Sequence, residues 1–503
     1  MEEGPNLAMS STRFNWQTIK GDIIGGITVA FVALPLALSF GVLSGMGAEA
    51  GIYGAIFTGI LASIFGGTKG QISGPTGAMT VVLVEMFNKH GVEGLIAAMI
   101  LAGVFQVLMG LFKLGKYIQL IPKPTIIGFT NGIGILIFLK QLEYVKVDPV
   151  LAIFTLLIML GLPFISKKLP AALIALIVGS VVASIWLPTQ NVVGEISLAM
   201  PKLQIPDFLS LNLIEVTKAA IILALLGAIE SLLASLVVDE MTKTKHNSDR
   251  ELVGQGVANF ITAIFGNLIG TGAIIRSAVN INAGGRGRAS GVIHAIVLLL
   301  LVFQFGSLSA NIPLAVLAGI LMATAIKMIE YHETYIYSYV SKEALAVISV
   351  TTVLTVVTDL TTAVAMGTLL SGLIMIYNMG NSYVKEYPIE CDDTSKKIKS
   401  FTIEGALFFG VTDSIVSNLI LKSKNTNTII INLMNTPIVD ASGIIVLSKF
   451  KEAMDNLGTK VILTGLKENT YQKLLKLHIL DGSEQQINLG KIGDAIAYVK
   501  TLD

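Results

Sequence analysis

The chain has 503 residues, 53% of them hydrophobic and only 14% charged, with a formal net charge of +1 at pH 7. A soluble fold of this size cannot hide so much apolar side chain, so the composition points to a membrane as the solvent. The near-zero charge excludes a nucleic-acid binder, which needs a basic excess against phosphates, and the single cysteine, Cys391, excludes an intramolecular disulfide and reads as an ordinary thiol.

The first apolar run, Ile23 to Val42, follows Lys20 and Asp22. It leads directly into further runs and lacks a cleavage site, so it reads as a transmembrane helix and not a signal peptide. Residues 1–20 are then a cytoplasmic lead, and 21–379 a nearly continuous membrane region. Leu95 to Phe112, Ala219 to Val238 and Gly291 to Val302 are further runs close to the ~20 residues that cross a ~30 Å hydrocarbon core. With the short ones included the count is fourteen, seven before the polar stretch from Trp186 to Asn212 and seven after it. An odd number per half inverts the second half relative to the first, the inverted-repeat plan of many secondary transporters.

Charge placement supports this count with the N-terminus inside. The loops that face the cytoplasm then carry Lys113, Lys116, Lys123, Lys167, Lys168, Lys243, Lys245, Arg250, Arg286 and Arg288 among others, and the outer loops only Lys89, Lys140, Lys146, Lys202 and Lys218. After a linker at 380–398 the pattern changes. Thr428 to Met434 and Val461 to Gly465 read as short buried strands, and Gly443 to Leu457 and Glu468 to Leu477 have helical spacing, so 399–503 is expected to be a cytoplasmic α/β domain.

Two segments look like spans that fail, each the third of its half. Ser73, Gly74, Pro75, Thr76, Gly77 and Ala78 open an apolar run that ends near Phe87, and Gly270, Thr271, Gly272, Ala273, Ile274, Ile275 and Arg276 open one that ends at Ala283. The triplet Thr-Gly-Ala recurs in both. A helix that starts halfway across the membrane leaves its first N–H groups without partners and places about half a positive charge there, so two such N-termini facing each other form an anion site from backbone alone. Thr76, Gly77, Ala78, Gly272 and Ala273 are the candidate anion ligands; the threonine hydroxyls are expected to cap the helices or touch the ligand.

Arg276, in the first turn of the second half-helix, would add a positive field; a structural salt bridge is the competing reading. Glu230 sits near the centre of the run from Ala219 to Val238, where a carboxylate costs about 2.5–3.5 kcal/mol on insertion scales. It must be protonated, paired or ion-bound, which makes it, with Thr271, the candidate for coupling to a sodium ion or a proton. The run from Gly284 to Arg288 lacks the lysine of a phosphate loop and reads as a cytoplasmic turn. The sequence has no metal-ligand cluster, hydrolase constellation or nucleotide motif, so neither an enzyme nor an ATP-driven pump is expected, and no cofactor beyond the coupling ion.

These residues resemble the sulfate permease (SulP) family of anion transporters, and the chain from Phe401 on resembles its STAS domain. The resemblance rests on Gly21 to Gly41 with Ala33, Leu34 and Pro35, on Ser73 to Ala78, on Lys113 to Gly134, and on Glu251 to Gly256 through Arg276 to Gly285. It implies fourteen spans in a core and a gate, a homodimer, and elevator-like movement of the core. Within the family the chain looks nearest to cyanobacterial sodium-dependent bicarbonate transporters; Leu36 stands where many sulfate transporters have Gln. Those bicarbonate transporters have Asp at the position of Glu230 and a hydroxyl residue at that of Ala234, so proton coupling, and sulfate or a small dicarboxylate such as fumarate as cargo, stay open. A passive anion channel or uniporter and a membrane-bound sensor are the other classes. Asp440, Ala441, Ser442 and Gly443 resemble the loop that is phosphorylated in anti-sigma factor antagonists; Ser442 is expected as an unmodified helix cap, with the domain a platform for dimerisation or a cytoplasmic regulator.

Overall fold

The structure is a computed structural model that describes residues 16–118, 122–166, 169–194, 201–305, 311–358, 360–379, 383–387, 398–408, 410, 412–423, 426–480 and 495. Cys391, Lys167, Lys168 and most of the segment 380–398 lie outside the described residues. The chain divides into two compact units, Met1–Thr368 and Leu369–Asp503.

The first unit is helical. Its first half comprises α1 (Trp16–Leu43), α2 (Ala48–Phe65), the two-residue strand β1 (Ser73–Gly74), α3 (Gly77–Leu111), the short α4 (Gly115–Ile118), α5 (Lys123–Val147), α6 (Pro149–Ile165) and α7 (Ala171–Ile185). The second half repeats the order with α8 (Leu213–Thr242), α9 (Ser248–Ile264), β2 (Thr271–Gly272), α10 (Ile274–Asn282), α11 (Ala289–Phe305), α12 (Leu314–Met328), the short α13 (Tyr331–Val340), α14 (Lys342–Val357) and α15 (Leu360–Met379), which continues past Thr368 into the second unit. In both halves a minimal strand therefore precedes the third helix.

The first half-helix ends just past Phe87, at Gly91, and a second helical segment follows it directly. Helix α3 runs on to Leu111 with one break, at Gly91, whose φ of 66° and ψ of −168° are not helical. Glycine adopts that conformation without a Cβ penalty, so the stretch from Asn88 to Glu93 bends the chain without forming a loop. Counting α3 as two segments at Gly91 and setting aside α4 and α13, α1, α2, α3, α5, α6 and α7 supply seven helical segments, and α8, α9, α10, α11, α12, α14 and α15 another seven. Six helical runs among the described residues are long and apolar enough to cross a bilayer: Thr18–Leu43, Ala48–Phe65, Gly77–Leu111, Lys123–Val147, Leu213–Thr242 and Leu314–Val340.

The helices sort into two groups. One contains α1, α2, α3, α8, α9, α10 and α11, the other α5, α6, α7, α12, α13 and α14; they meet where α1 packs on α7 and α12 and where α3 packs on α5. The early helices of each half thus form a core and the later ones a gate. In lipid, apolar side chains gain little by touching one another, and tight packing through small residues takes over. Helices α3 and α9 show this: a Cβ on Gly103 would lie 2.5 Å from the Phe260 nitrogen, and one on Gly256 2.5 Å from the Val107 nitrogen.

The second unit contains a four-stranded sheet in the order β3 (Tyr383–Tyr387), β4 (Ile398–Glu404), β5 (Thr428–Asn432), β6 (Lys460–Thr464); β3 is antiparallel to β4, and β4, β5 and β6 are parallel. Helices α16 (Thr412–Lys422), α17 (Ala441–Asp455) and α18 (Glu468–Lys476) alternate with the strands, and Phe401, Ile431, Leu447, Phe450 and Leu463 belong to one buried cluster. The cap of α17 is Asp440, whose carboxylate accepts from the Gly443 N–H at 2.8 Å. This corrects the expectation for Ser442, which is half-buried at the second position of the helix. Asp440 reaches the third amide with the side-chain length that favours Asp as a cap.

Candidate functional site: two half-helix N-termini and a buried arginine

Strands β1 and β2 pair antiparallel, Ser73 with Gly272 and Gly74 with Thr271. Because the pairing is antiparallel, the helices that follow leave the crossing in opposite directions with their N-termini side by side. The Ala273 N–H also donates to the Ile72 carbonyl at 2.8 Å. The crossing is made at backbone contact, since a Cβ on Gly270 would lie 2.3 Å from the carbonyl carbon of Gly74. This brings Thr76, Gly77, Ala78, Thr271, Gly272, Ala273 and Arg276 to one place, as the recurring triplet suggests.

Neither helix start is capped by a side chain. Thr76 is the N-cap residue of α3 and Ala273 that of α10, and neither side chain bonds the helix. The threonine hydroxyls do not cap the helices: Thr76 Oγ1 donates to Glu230 Oε2 at 2.7 Å and Thr271 Oγ1 donates to the same oxygen at 2.8 Å. Each half-helix lead therefore lends one hydroxyl to a single carboxylate on α8. The first-turn amides keep their positive field uncapped.

Arg276 is 3% exposed. Its Nη2 donates to the Pro75 carbonyl at 2.8 Å, reaching from the second half-helix to the lead of the first. No carboxylate forms an ion pair with it among the described residues, and Nη1 is buried without a hydrogen-bond partner. A buried guanidinium N–H left open is costly, and an anion at the crossing would satisfy it. Glu230 and Thr76 are only half-buried, so the side of the site they share is accessible.

Sequence reading missed the support beneath β2. The Gly272 N–H donates to Ser231 Oγ at 3.1 Å, and Ser235 Oγ donates to Gln71 Oε1 at 2.8 Å. Serines one and five residues after Glu230 place two hydroxyls a turn apart on one helix face, a spacing visible in the sequence. Ala234 is fully buried, so the hydroxyls around Glu230 come from the half-helix leads and not from that position.

A helical membrane protein with two opposed half-helices, uncapped amides and an unpaired buried arginine between them is built to carry anions. The sulfate permease family profile matches residues 19–146 and 146–351, and the STAS domain profile matches 393–489. The chain belongs to the sulfate permease family of anion transporters, whose members resembling it are transporters and not enzymes. It is 34% identical over 518 residues to the putative sulfate transporter YvdB of Bacillus subtilis, covering 94% of this chain and 98% of that one. It is 32% identical over 525 residues to the bicarbonate transporter BicA of Picosynechococcus sp., covering 93% and 92%. Among solved structures, the transmembrane domain of a cyanobacterium bicarbonate transporter BicA superposes with a TM-score of 0.66 at 36% identity, over 70% of this chain and 99% of that one. The murine Slc26a9 anion transporter in the inward-facing state gives a TM-score of 0.84 at 17% identity, over 98% and 96%, a likeness of fold alone.

Proposed function

We propose that the protein is a secondary active transporter of a small monovalent anion, bicarbonate first, coupled through Glu230 to one sodium ion or proton. The carrying observation is the β1–β2 crossing with Arg276 and Glu230 at the same place. Their charges decide the stoichiometry. The empty site, with Arg276 positive and Glu230 negative, is neutral; with a monovalent anion alone it is at −1, with a monovalent cation alone at +1, and with both it is neutral again. Moving a net charge through low dielectric is costly. Only the empty and the fully loaded core then cross readily, which is the requirement for symport.

The core and gate groups supply the moving parts of an elevator: α3, α8 and α10 belong to the core and carry the whole site, while α5 and α12 stand still against the lipid. The two termini are cytoplasmic by the distribution of Lys and Arg, the membrane is a bacterial inner membrane, and the protein is a homodimer with the STAS unit as platform for a cytoplasmic regulator. Sulfate is the second reading, favoured by the similarity to YvdB; by the same charge count a divalent anion needs two cations.

The test is uptake of labelled bicarbonate into proteoliposomes under an inward sodium gradient or an inward proton gradient, with sulfate and fumarate as competitors. Saturable uptake that depends on one of the two gradients is expected. Uptake of sulfate or fumarate with exclusion of bicarbonate would overturn the substrate, and non-saturating conduction would make the protein a channel.

A further inference from the structure

Helix α9 lies behind the β1–β2 crossing and carries Glu251, Gln255 and Asn259 at i, i+4 and i+8, hence on one face. They are 2%, 0% and 0% exposed. We infer that these three residues are positioning residues of the anion site, a buried polar ladder that holds both half-helix leads in register as one body. This deepens the transport reading above and rests on it.

Each rung holds a different part of the crossing. Glu251 Oε2 accepts from the Gly67 and Thr68 N–H groups at 2.8 and 2.9 Å, and Oε1 accepts from Gln71 Nε2 and Gln255 Nε2 at 2.9 Å each. Those bonds fix the lead into β1. Gln255 Nε2 also donates to Ser73 Oγ, in β1 itself, at 2.6 Å. Asn259 Oδ1 accepts from the Gly270 N–H at 2.9 Å, immediately before β2, and its Nδ2 donates to Gln106 Oε1 at 2.7 Å. Side branches reach α8 on both sides of Glu230: Gln106 Nε2 donates to the Ala224 carbonyl at 3.4 Å, and Gln71 accepts from Ser235 at 2.8 Å.

The ladder therefore ties the first lead, the second lead and the helix of the coupling carboxylate to one element. Buried polar side chains at membrane depth are costly unless paired, and in the ladder every side-chain polar atom has a partner except Gln255 Oε1, which is buried without one; apolar residues would pack α9 against α3 at lower cost. What the polar residues add is direction. Each hydrogen bond fixes where a lead begins, and hence where the amides of Gly77 and Ile274 and the guanidinium of Arg276 point.

Two readouts test the role. The first is hydrogen–deuterium exchange of the purified full chain, which needs no substrate. Asn259→Leu is expected to speed exchange in 267–273 and, through the pairing of the strands, in 73–76, with the gate helices unchanged. The second is the KM for whichever labelled anion the wild type takes up. Asn259→Leu is expected to raise KM by about tenfold with a smaller loss of maximal rate, and Asn259→Asp, which as a protonated acid keeps the acceptor for Gly270 and a donor for Gln106, to stay within about threefold of wild type. Ser73→Ala, which removes one hydroxyl and no bulk, is expected to raise KM by about threefold and is the variant to rely on where Asn259→Leu does not fold. Exchange that rises evenly over the whole unit, or a KM for Ser73→Ala and Asn259→Leu equal to that of the wild type, would overturn the inference. Failure of the wild type to take up any of the three anions would overturn the transport reading instead and leave the exchange experiment to decide the ladder.

Discussion

Arg276→Ala is expected to lower anion affinity by about 10- to 150-fold, the loss of a charge-assisted hydrogen bond in a dry site. The guanidinium has one arm on the Pro75 carbonyl and one buried nitrogen without a partner. Removing it takes away the direct donor and leaves the empty site at −1, so bound anion would meet Glu230 with no offsetting charge. Arg276→Lys recovers only part of the loss, because a single ammonium cannot hold Pro75 and the anion in the planar geometry of a guanidinium. Isothermal titration of the detergent-solubilised protein, with thermal unfolding as the control for folding, measures this. An unchanged affinity in folded Arg276→Ala would make the arginine a structural link between the two leads.

Glu230→Gln is expected to abolish the dependence of uptake on the sodium or proton gradient and to keep anion exchange. Glutamine still offers one oxygen to the hydroxyls of Thr76 and Thr271, which are 2.7 and 2.8 Å from the carboxylate in the wild type, so the crossing keeps its shape. The charges change: the empty site becomes +1 and the anion-loaded site neutral. On the proposed mechanism the loaded core would then cross without a cation and the empty core would return with difficulty, so that the variant would act as an exchanger. Counterflow of labelled anion should persist while gradient-driven accumulation falls to background. Full gradient-driven uptake by Glu230→Gln would remove the residue from the coupling step.

The half-helices were legible because a run of about a dozen apolar residues cannot cross a ~30 Å core and because Thr-Gly-Ala recurs at the start of each, although the triplet begins at the cap of α3 and ends at the cap of α10. Glu230 and Arg276 were legible because ionised groups at membrane depth stand out against apolar neighbours. What could not be read was the destination of side chains across the core. Thr76 sits at the cap of α3 and Thr271 in the strand two residues before the cap of α10, and only the folded crossing shows that Glu230 takes both hydroxyls. The α9 ladder looks in sequence like a solvated polar face, since a stripe at i, i+4 and i+8 has the same period whether it meets water or buried backbone. Gly91 illustrates another limit: the polar residues around it read as a loop, yet one residue with φ of 66° bends the chain between two helical segments. At α17, Asp440 and Ser442 are both good cap residues two positions apart, and composition does not say which begins the helix.

The central claim is that the anion binds between the two half-helix N-termini, against Arg276 and beside Glu230. An electron cryo-microscopy reconstruction in lipid nanodiscs, with and without bicarbonate, tests it most directly. Difference density between the first turns of α3 and α10, within hydrogen-bond reach of Arg276 Nη1, is the predicted result; anion density elsewhere, with the crossing unchanged on loading, would contradict it.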